Sequence, residues 1–291
     1  MTAIHQAGFV NIVGKPNVGK STFMNAVVGE KLSIITSKAQ TTRHRILGIL
    51  NGENFQIIYS DTPGIIKPAY ELHNRMMQFV EMSLEDADIL LWIVEVNDEV
   101  DTDILQKIKR VEAPVFLLIN KIDLVEPAIV QEKIAYWEAI HSFSKILPIS
   151  ALKKTNIQEV FDIILKALPE HPAYYEKDYM TDKPERFFAA EAIREKIFLN
   201  LQQEIPYCCE VIINSFKEEE TIIRIQADIL VERDSQKGIV IGRKGETLKK
   251  IGSQARQSIE AFFGKQVFLE QFVKVEPDWR NKKNMLEKLG Y

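Results

Sequence analysis

Along the first 168 residues, apolar side chains gather in short continuous runs separated by stretches in which they return with helical period. The runs at 9–13, 45–50, 55–60, 89–94, 115–119 and 146–148 predict strands, and the stretches at 22–29, 72–83, 102–110, 128–141 and 156–168 predict helices. Strands that alternate with helices imply a mostly parallel α/β sheet covered on both faces, with ligands at the carboxyl ends of the strands. The pattern breaks at 169–184, where three prolines and no periodicity predict an interdomain linker. Beyond it a helix over 187–203, strands over 209–216 and 221–231, a helix over 246–263 and a last strand over 267–275 predict an α+β domain of order α-β-β-α-β. The expected organisation is therefore residues 1–168, a linker 169–184 and a second domain 185–291.

Composition changes this picture little. With 291 residues, 46% hydrophobic and 27% charged, the chain suits two ordinary globular domains. The run at 89–94 stops at Glu95, far short of a membrane span, and the N-terminus lacks the basic and apolar pattern of a signal peptide, so a cytoplasmic location is expected. Cys208 and Cys209 are adjacent, which suits neither a disulfide framework nor a zinc site and predicts buried thiols. A net charge of −4 gives no global signature of a nucleic-acid binder, so any such activity must come from a local basic patch. Glu218-Glu219-Glu220 reads as a solvated turn.

Gly14-Lys15-Pro16-Asn17-Val18-Gly19-Lys20-Ser21 lies between the first strand and the first helix, which continues through Thr22. G-x4-G-K-[ST] in that setting is a phosphate-binding loop: the glycines let backbone N–H groups and the helix N-terminus turn toward a polyphosphate. Lys20 would reach the outer phosphates, and the Ser21 hydroxyl would ligate Mg²⁺. Asp61-Thr62-Pro63-Gly64 follows the third strand, where the carboxylate can hold Mg²⁺ and the Gly64 amide can sense a terminal phosphate. The polar segment 31–45 contains Thr41 and Thr42 and suits a first switch, with Thr42 preferred as the hydroxyl that completes the metal shell. Asn120-Lys121-Ile122-Asp123 closes the fifth strand. There Asp123 can accept from the guanine N1–H and 2-amino groups, Asn120 can meet the N7 side and the Lys121 stem can lie along the base. Ser150-Ala151-Leu152 would offer an amide to guanine O6. GTP is the nucleotide that this set selects.

These elements, in this order, resemble the translation-factor-related GTPases of the Era type, and the likeness runs over essentially the whole chain. Ile65 follows the switch glycine where Ras-like GTPases carry a catalytic glutamine, and the resemblance implies that an apolar residue there is compatible with hydrolysis. Lys20, Thr42, Gly64 and Asn17 are then the expected catalytic set, with Asn17 placed to hold a K⁺ ion against the phosphates. Gly242-Arg243-Lys244-Gly245 is a weak motif alone. With the apolar run 239–241 before it and a helix carrying Lys249 and Lys250 after it, it resembles the GxxG loop of a type II KH domain, which clamps single-stranded RNA. The family resemblance implies binding of 16S ribosomal RNA, not DNA, help in assembling the 30S subunit, and a loose association with the inner membrane face. Two other readings stay open on the residues: an RNA-binding scaffold that holds GTP without turnover, and a GTPase that acts on a protein partner.

Overall fold

Six of the apolar runs pair into one sheet in the computed structural model, which describes residues 5–291. The strands are β1 (Gln6–Val13), β2 (Ile46–Asn51), β3 (Phe55–Asp61), β4 (Ile89–Glu95), β5 (Val115–Asn120) and β6 (Lys145–Pro148), in the order β2-β3-β1-β4-β5-β6. All neighbouring pairs are parallel except β2 and β3, which a short turn joins as an antiparallel hairpin. Helices α1 (Lys20–Val28), α2 (Glu71–Glu85), α3 (Thr102–Ile108) and α4 (Pro127–Ile140) fall between strands and α5 (Ile157–Ala167) follows β6, as the periodicity predicts. Burial on both faces explains why β4 reads as an unbroken apolar run: Ile89 through Val94 are all buried. Trp92 of β4 meets Trp137 of α4 edge to face, with ring centroids 5.3 Å apart.

The proline-bearing stretch after α5 is not an open tether. Residues up to Asp182 belong to the same unit as the sheet and run beside it. Ile49 N donates to Met180 O at 2.9 Å, and Gln56 Oε1 accepts from the Tyr174 and Tyr175 amides at 2.7 and 3.0 Å. Three prolines forbid a regular ladder there, but they do not prevent scattered hydrogen bonds to side chains and strand edges.

A second unit contains α6 (Glu185–Asn200), α7 (Ile205–Cys208), β7 (Glu210–Glu218), β8 (Ile222–Val231), α8 (Asp234–Ile241), α9 (Glu246–Phe263), β9 (Gln266–Val275) and α10 (Lys283–Lys288). Its sheet has the order β7-β8-β9, with β7 and β8 antiparallel and β8 and β9 parallel. Ile193 and Ile197 of α6, Ile225 and Ile229 of β8, and Ile251 and Ile259 of α9 lie in one apolar core. The predicted order α-β-β-α-β needs correction, because α8 stands between β8 and the GxxG loop. Gly238 and the β-branched run behind it disfavour a helix locally, but Val240 is fully buried and Gln236 Oε1 accepts from the Glu232 and Arg233 amides at the helix start. Tertiary packing and the cap outweigh propensity. Cys208 and Cys209 are buried, and both thiols donate to Ile205 O at 3.1 Å.

Residues Ile34–Thr41 and Ala69–Asn74 also belong to this second unit. The Lys38 ammonium donates to the Phe198 and Leu201 carbonyls, which end α6. The Arg194 guanidinium, paired with Glu191 at 2.7 Å, donates to Thr41 O. His73 meets Gln40 Oε1 at 3.1 Å, and the Arg280 guanidinium lies 4.5 Å from the centre of the Tyr70 ring.

Candidate functional site

The loop after β1 needs glycine at two positions. Gly14 has φ 153° and a Cβ there would stand 2.3 Å from Ile93 O, while Gly19 has φ 100° and a Cβ there would stand 2.2 Å from Asn120 Nδ2. No other residue fits either place. Asn17 sits exposed between them with φ 65°, a conformation that asparagine tolerates better than most residues. Lys15 pairs with Asp101 at 3.7 Å, and Val18 is buried. Lys20 opens α1 and is buried, its ammonium donating to Lys15 O at 2.8 Å and Gly14 O at 3.2 Å. Burial pulls its pKa down to about 8, and the nearby Asp61 carboxylate opposes that shift.

Three oxygen-bearing side chains converge beside Lys20. Ser21 Oγ donates to Asp61 Oδ2 at 2.7 Å and lies 2.9 Å from Thr42 Oγ1, which is 3.4 Å from the same carboxylate oxygen. The structure brings Thr42, not Thr41, to this cluster. Among the described residues Asp61 Oδ1 is buried with no hydrogen-bond partner, and burial raises the Asp61 pKa against the pull of Lys20 and the surrounding hydroxyls. An all-oxygen donor set with an orphaned carboxylate oxygen fits a hard divalent cation such as Mg²⁺.

Thr62 Oγ1 donates to Ile12 O at 2.7 Å, and Ile65 N donates to Gly14 O at 3.0 Å. Between them Pro63 and Gly64 are buried, and a Cβ on Gly64 would stand 2.8 Å from the Pro16 backbone nitrogen. That close approach is what glycine allows here.

On the base side, Asn120 does more than the sequence suggests. Its Nδ2 donates to Val18 O at 2.7 Å and its Oδ1 accepts from Ala151 N at 2.9 Å, so one side chain braces the phosphate loop against the Ser150-Ala151 turn. The second amide hydrogen is what it can still offer a base. Lys121, at φ 65°, pairs with Glu95 at 2.6 Å, a partner that sequence spacing could not reveal. The Asp123 carboxylate is exposed on a single turn of 3₁₀ helix, Ser150 and Ala151 are buried, and Leu152 is exposed.

In the second unit, Gly242 and Gly245 flank exposed Arg243 and Lys244 between α8 and α9. A Cβ on Gly242 would stand 2.1 Å from Thr247 Oγ1, whereas Gly245, at φ 79°, has open space around it. A groove of about 400 Å³ runs beside the loop, lined by Lys249 among others. Lys250, one residue on, faces a different groove of about 600 Å³ with Lys196. The two lysines grouped by sequence therefore serve different surfaces.

Residues 9–121 match the family model of the 50S ribosome-binding GTPases, and residues 204–280 match that of KH domains. A GTPase Era of Staphylococcus haemolyticus is 46% identical over 291 residues, covering 99% of this chain and 97% of its own length. The chain belongs to the Era family of GTPases. The Era of Staphylococcus epidermidis is 45% identical over the same length. Among solved structures, an Aquifex aeolicus Era variant bound to GDP and AlF₄⁻ superposes with a TM-score of 0.95 at 41% identity, over 98% of this chain and 99% of the other. An Era bound to MgGDPNP and nucleotides 1506–1542 of 16S ribosomal RNA superposes with 0.93, also at 41% identity, over 99% of each chain. Membership of the Era family makes this chain a P-loop enzyme that hydrolyses GTP, followed by a KH domain. No helix among the described residues is long and apolar enough to cross a membrane.

Proposed function

We propose that this chain is a GTP-driven switch that holds a single-stranded stretch of 16S ribosomal RNA in its KH unit and thereby assists assembly of the 30S subunit. The observation that carries the reading is the pairing, in one chain, of the Ser21, Thr42 and Asp61 cluster with a GxxG loop whose Arg243 and Lys244 are exposed. A relative at 41% identity, solved with 16S RNA nucleotides, supports the choice of RNA. In this reading residues 1–168 serve the nucleotide, 169–184 lie between, and 185–291 serve RNA.

In this reading, the backbone N–H groups of the loop 14–19, Pro16 excepted, and the Lys20 ammonium hold the phosphates, while Asp123, Asn120, Lys121 and the turn 150–152 hold guanine. Ser21, Thr42 and Asp61 would hold Mg²⁺, which when bound neutralises charge on the outer phosphates. Ile65 offers no proton acceptor, so its backbone N–H, fixed on Gly14 O, serves only to seat Gly64 near the terminal phosphate. Hydrolysis without a side-chain base leaves charge stabilisation as the main lever. Asn17, exposed in the loop, is suited to hold K⁺ there. Steady-state phosphate release in matched KCl and NaCl, with and without single-stranded RNA, tests the whole reading. K⁺ stimulation that Asn17→Ala removes supports the ion, and equal rates in the two salts overturn it. A rate that responds to RNA supports the switch, whereas a rate that responds only to a protein fraction favours a GTPase with a protein partner. A cytoplasmic site of action with peripheral contact at the inner membrane face belongs to the same reading, and flotation with anionic lipid vesicles checks it.

A further inference from the structure

Ser33 lies in the same polar segment as Thr42 and is 2% exposed. One side chain of α1 holds the backbone around it at three points: Asn25 Oδ1 accepts from the Leu32 and Ser33 amides, each at 3.0 Å, and Asn25 Nδ2 donates to Ser33 O at 2.8 Å. Asn25 stands four residues after Ser21, so the two project from one face of the helix, and Ser21 Oγ is the group that donates to Asp61 Oδ2 at 2.7 Å. A single helical face therefore carries both a donor to Asp61 and the clamp on Ser33. The clamp brings the Ser33 hydroxyl against Asp61, close enough to counter the upward pull that burial exerts on that carboxyl's pKa. Among the described residues, neither Ser33 Oγ nor Asp61 Oδ1 completes a hydrogen bond. Leaving a buried hydroxyl and a buried carboxylate oxygen open is costly, and native interiors seldom keep such a pair without a use for it.

The two ends of the Asp61 carboxylate are thus held unequally. Oδ2 accepts from Ser21 and lies 3.4 Å from Thr42 Oγ1, whereas Oδ1 has no donor among the described residues. A hydroxyl can lend a lone pair to a cation while its hydrogen stays on a carboxylate, so Ser21 and Thr42 can serve Mg²⁺ without releasing Oδ2. A carboxylate fixed at one oxygen still turns about its terminal torsion, which is broad for aspartate. A donor at the second oxygen stops that rotation. Ionised Asp61 is the form that a cation requires, and it is also the form to which a hydroxyl donates most strongly.

We propose that Ser33 is a positioning residue of the Mg²⁺ site: its hydroxyl donates to Asp61 Oδ1 when the ion is bound and locks the carboxylate in the orientation that holds the ion. The proposal rests on the reading of Ser21, Thr42 and Asp61 as the metal site and adds the group that orients one of them. The test uses the full chain as wild type, Ser33→Ala and Ser33→Cys, the last keeping the shape of serine with a much weaker donor. Mg²⁺ is titrated by calorimetry into each chain loaded with a non-hydrolysable GTP analogue, affinity for the analogue is measured with Mg²⁺ and in EDTA, and each chain is melted without nucleotide. Both variants should need on the order of tenfold more Mg²⁺ for half-saturation, the value of a hydrogen bond to a charged group. Their analogue affinity in EDTA should stay within about twofold of wild type. Because Ser33→Ala removes a hydroxyl that has no partner among the described residues, it should melt within about one degree of wild type or above it. Unchanged Mg²⁺ affinity in either variant, an equal loss of analogue affinity in EDTA, or a Ser33→Ala chain that melts several degrees lower would each overturn the proposal. Wild-type analogue affinity that does not respond to Mg²⁺ would overturn the metal-site reading beneath it.

Discussion

The chain has two glycine-bounded loops to which the proposed function assigns phosphate, and they are built in opposite ways. The loop at 14–19 is enclosed: its glycines abut backbone and side chains on the side where a Cβ would go, Asn120 braces it, and Lys20 is buried over it. The loop at 242–245 presents Arg243 and Lys244 to solvent, and none of the described residues lies within 4 Å of where a Gly245 side chain would begin. A compact triphosphate needs a preformed cradle, with its donors fixed before the ligand arrives. A strand of RNA needs an open contact that can slide along a repeating backbone, and its affinity should depend on salt.

The difference between the loops can be tested by the same substitution in each. Gly19→Ala should abolish measurable GTP binding, a loss of at least about a hundredfold, because its Cβ would collide with the Asn120 amide at a backbone angle that disfavours alanine. Gly245→Ala meets no neighbour, so it should cost only the left-handed backbone penalty of about 1–2 kcal/mol in stability and leave GTP binding intact. Isothermal titration with GTP and a thermal melt of each variant check the pair. Equal damage to nucleotide binding in both would erase the contrast.

On the base side, Asp123→Asn should weaken GTP binding by on the order of tenfold to a hundredfold, the value of hydrogen bonds to a charged group, and shift preference toward xanthosine triphosphate. A variant that still prefers GTP in competition binding would remove Asp123 from base recognition. A smaller effect follows from Lys20. Its pKa of about 8 lies below the ordinary lysine value of 10.5, so in the ligand-free chain the ammonium begins to lose its proton near pH 8. Phosphates favour the charged form, so GTP affinity should be flat up to about pH 7.5 and about tenfold weaker by pH 9. The stability of the ligand-free chain should take the opposite sign. Between pH 8 and 10.5 the unfolded lysine still holds the proton that the folded one has released, so this group's contribution rises with pH. No pH dependence of GTP affinity between 7 and 9 would mean that Lys20 is not held as the structure shows.

Much of the enclosed loop was legible in the sequence because its constraints are local. Strand, glycine spacing, Lys20 and Ser21 all fall within sixteen consecutive residues, and the runs around them carry clear periods. Long-range partnerships were not legible. Asn120 bracing Val18 spans about a hundred positions, and nothing in the tetrad Asn120-Lys121-Ile122-Asp123 distinguishes a scaffold contact from a base contact. Residues 34–41 look like a loop of the first domain, yet Lys38 caps the carbonyls that end α6 and the segment belongs to the second unit. Helix α8 was hidden for a different reason: Gly238 and the following Ile239, Val240 and Ile241 have strand-like propensity, which burial of Val240 overrides.

In the proposed function the open loop serves RNA and stands apart from the machinery that hydrolyses GTP. Gly245→Asp places a negative charge where phosphates must pass, at a backbone angle of φ 79° that aspartate tolerates better than most residues. Affinity for a single-stranded RNA decamer and intrinsic GTP hydrolysis, measured on the same preparation at fixed salt, should separate: RNA affinity falls by tenfold or more, while hydrolysis stays within about twofold of wild type. Undiminished RNA affinity, or hydrolysis lost along with it in a chain that still melts like wild type, would contradict the account.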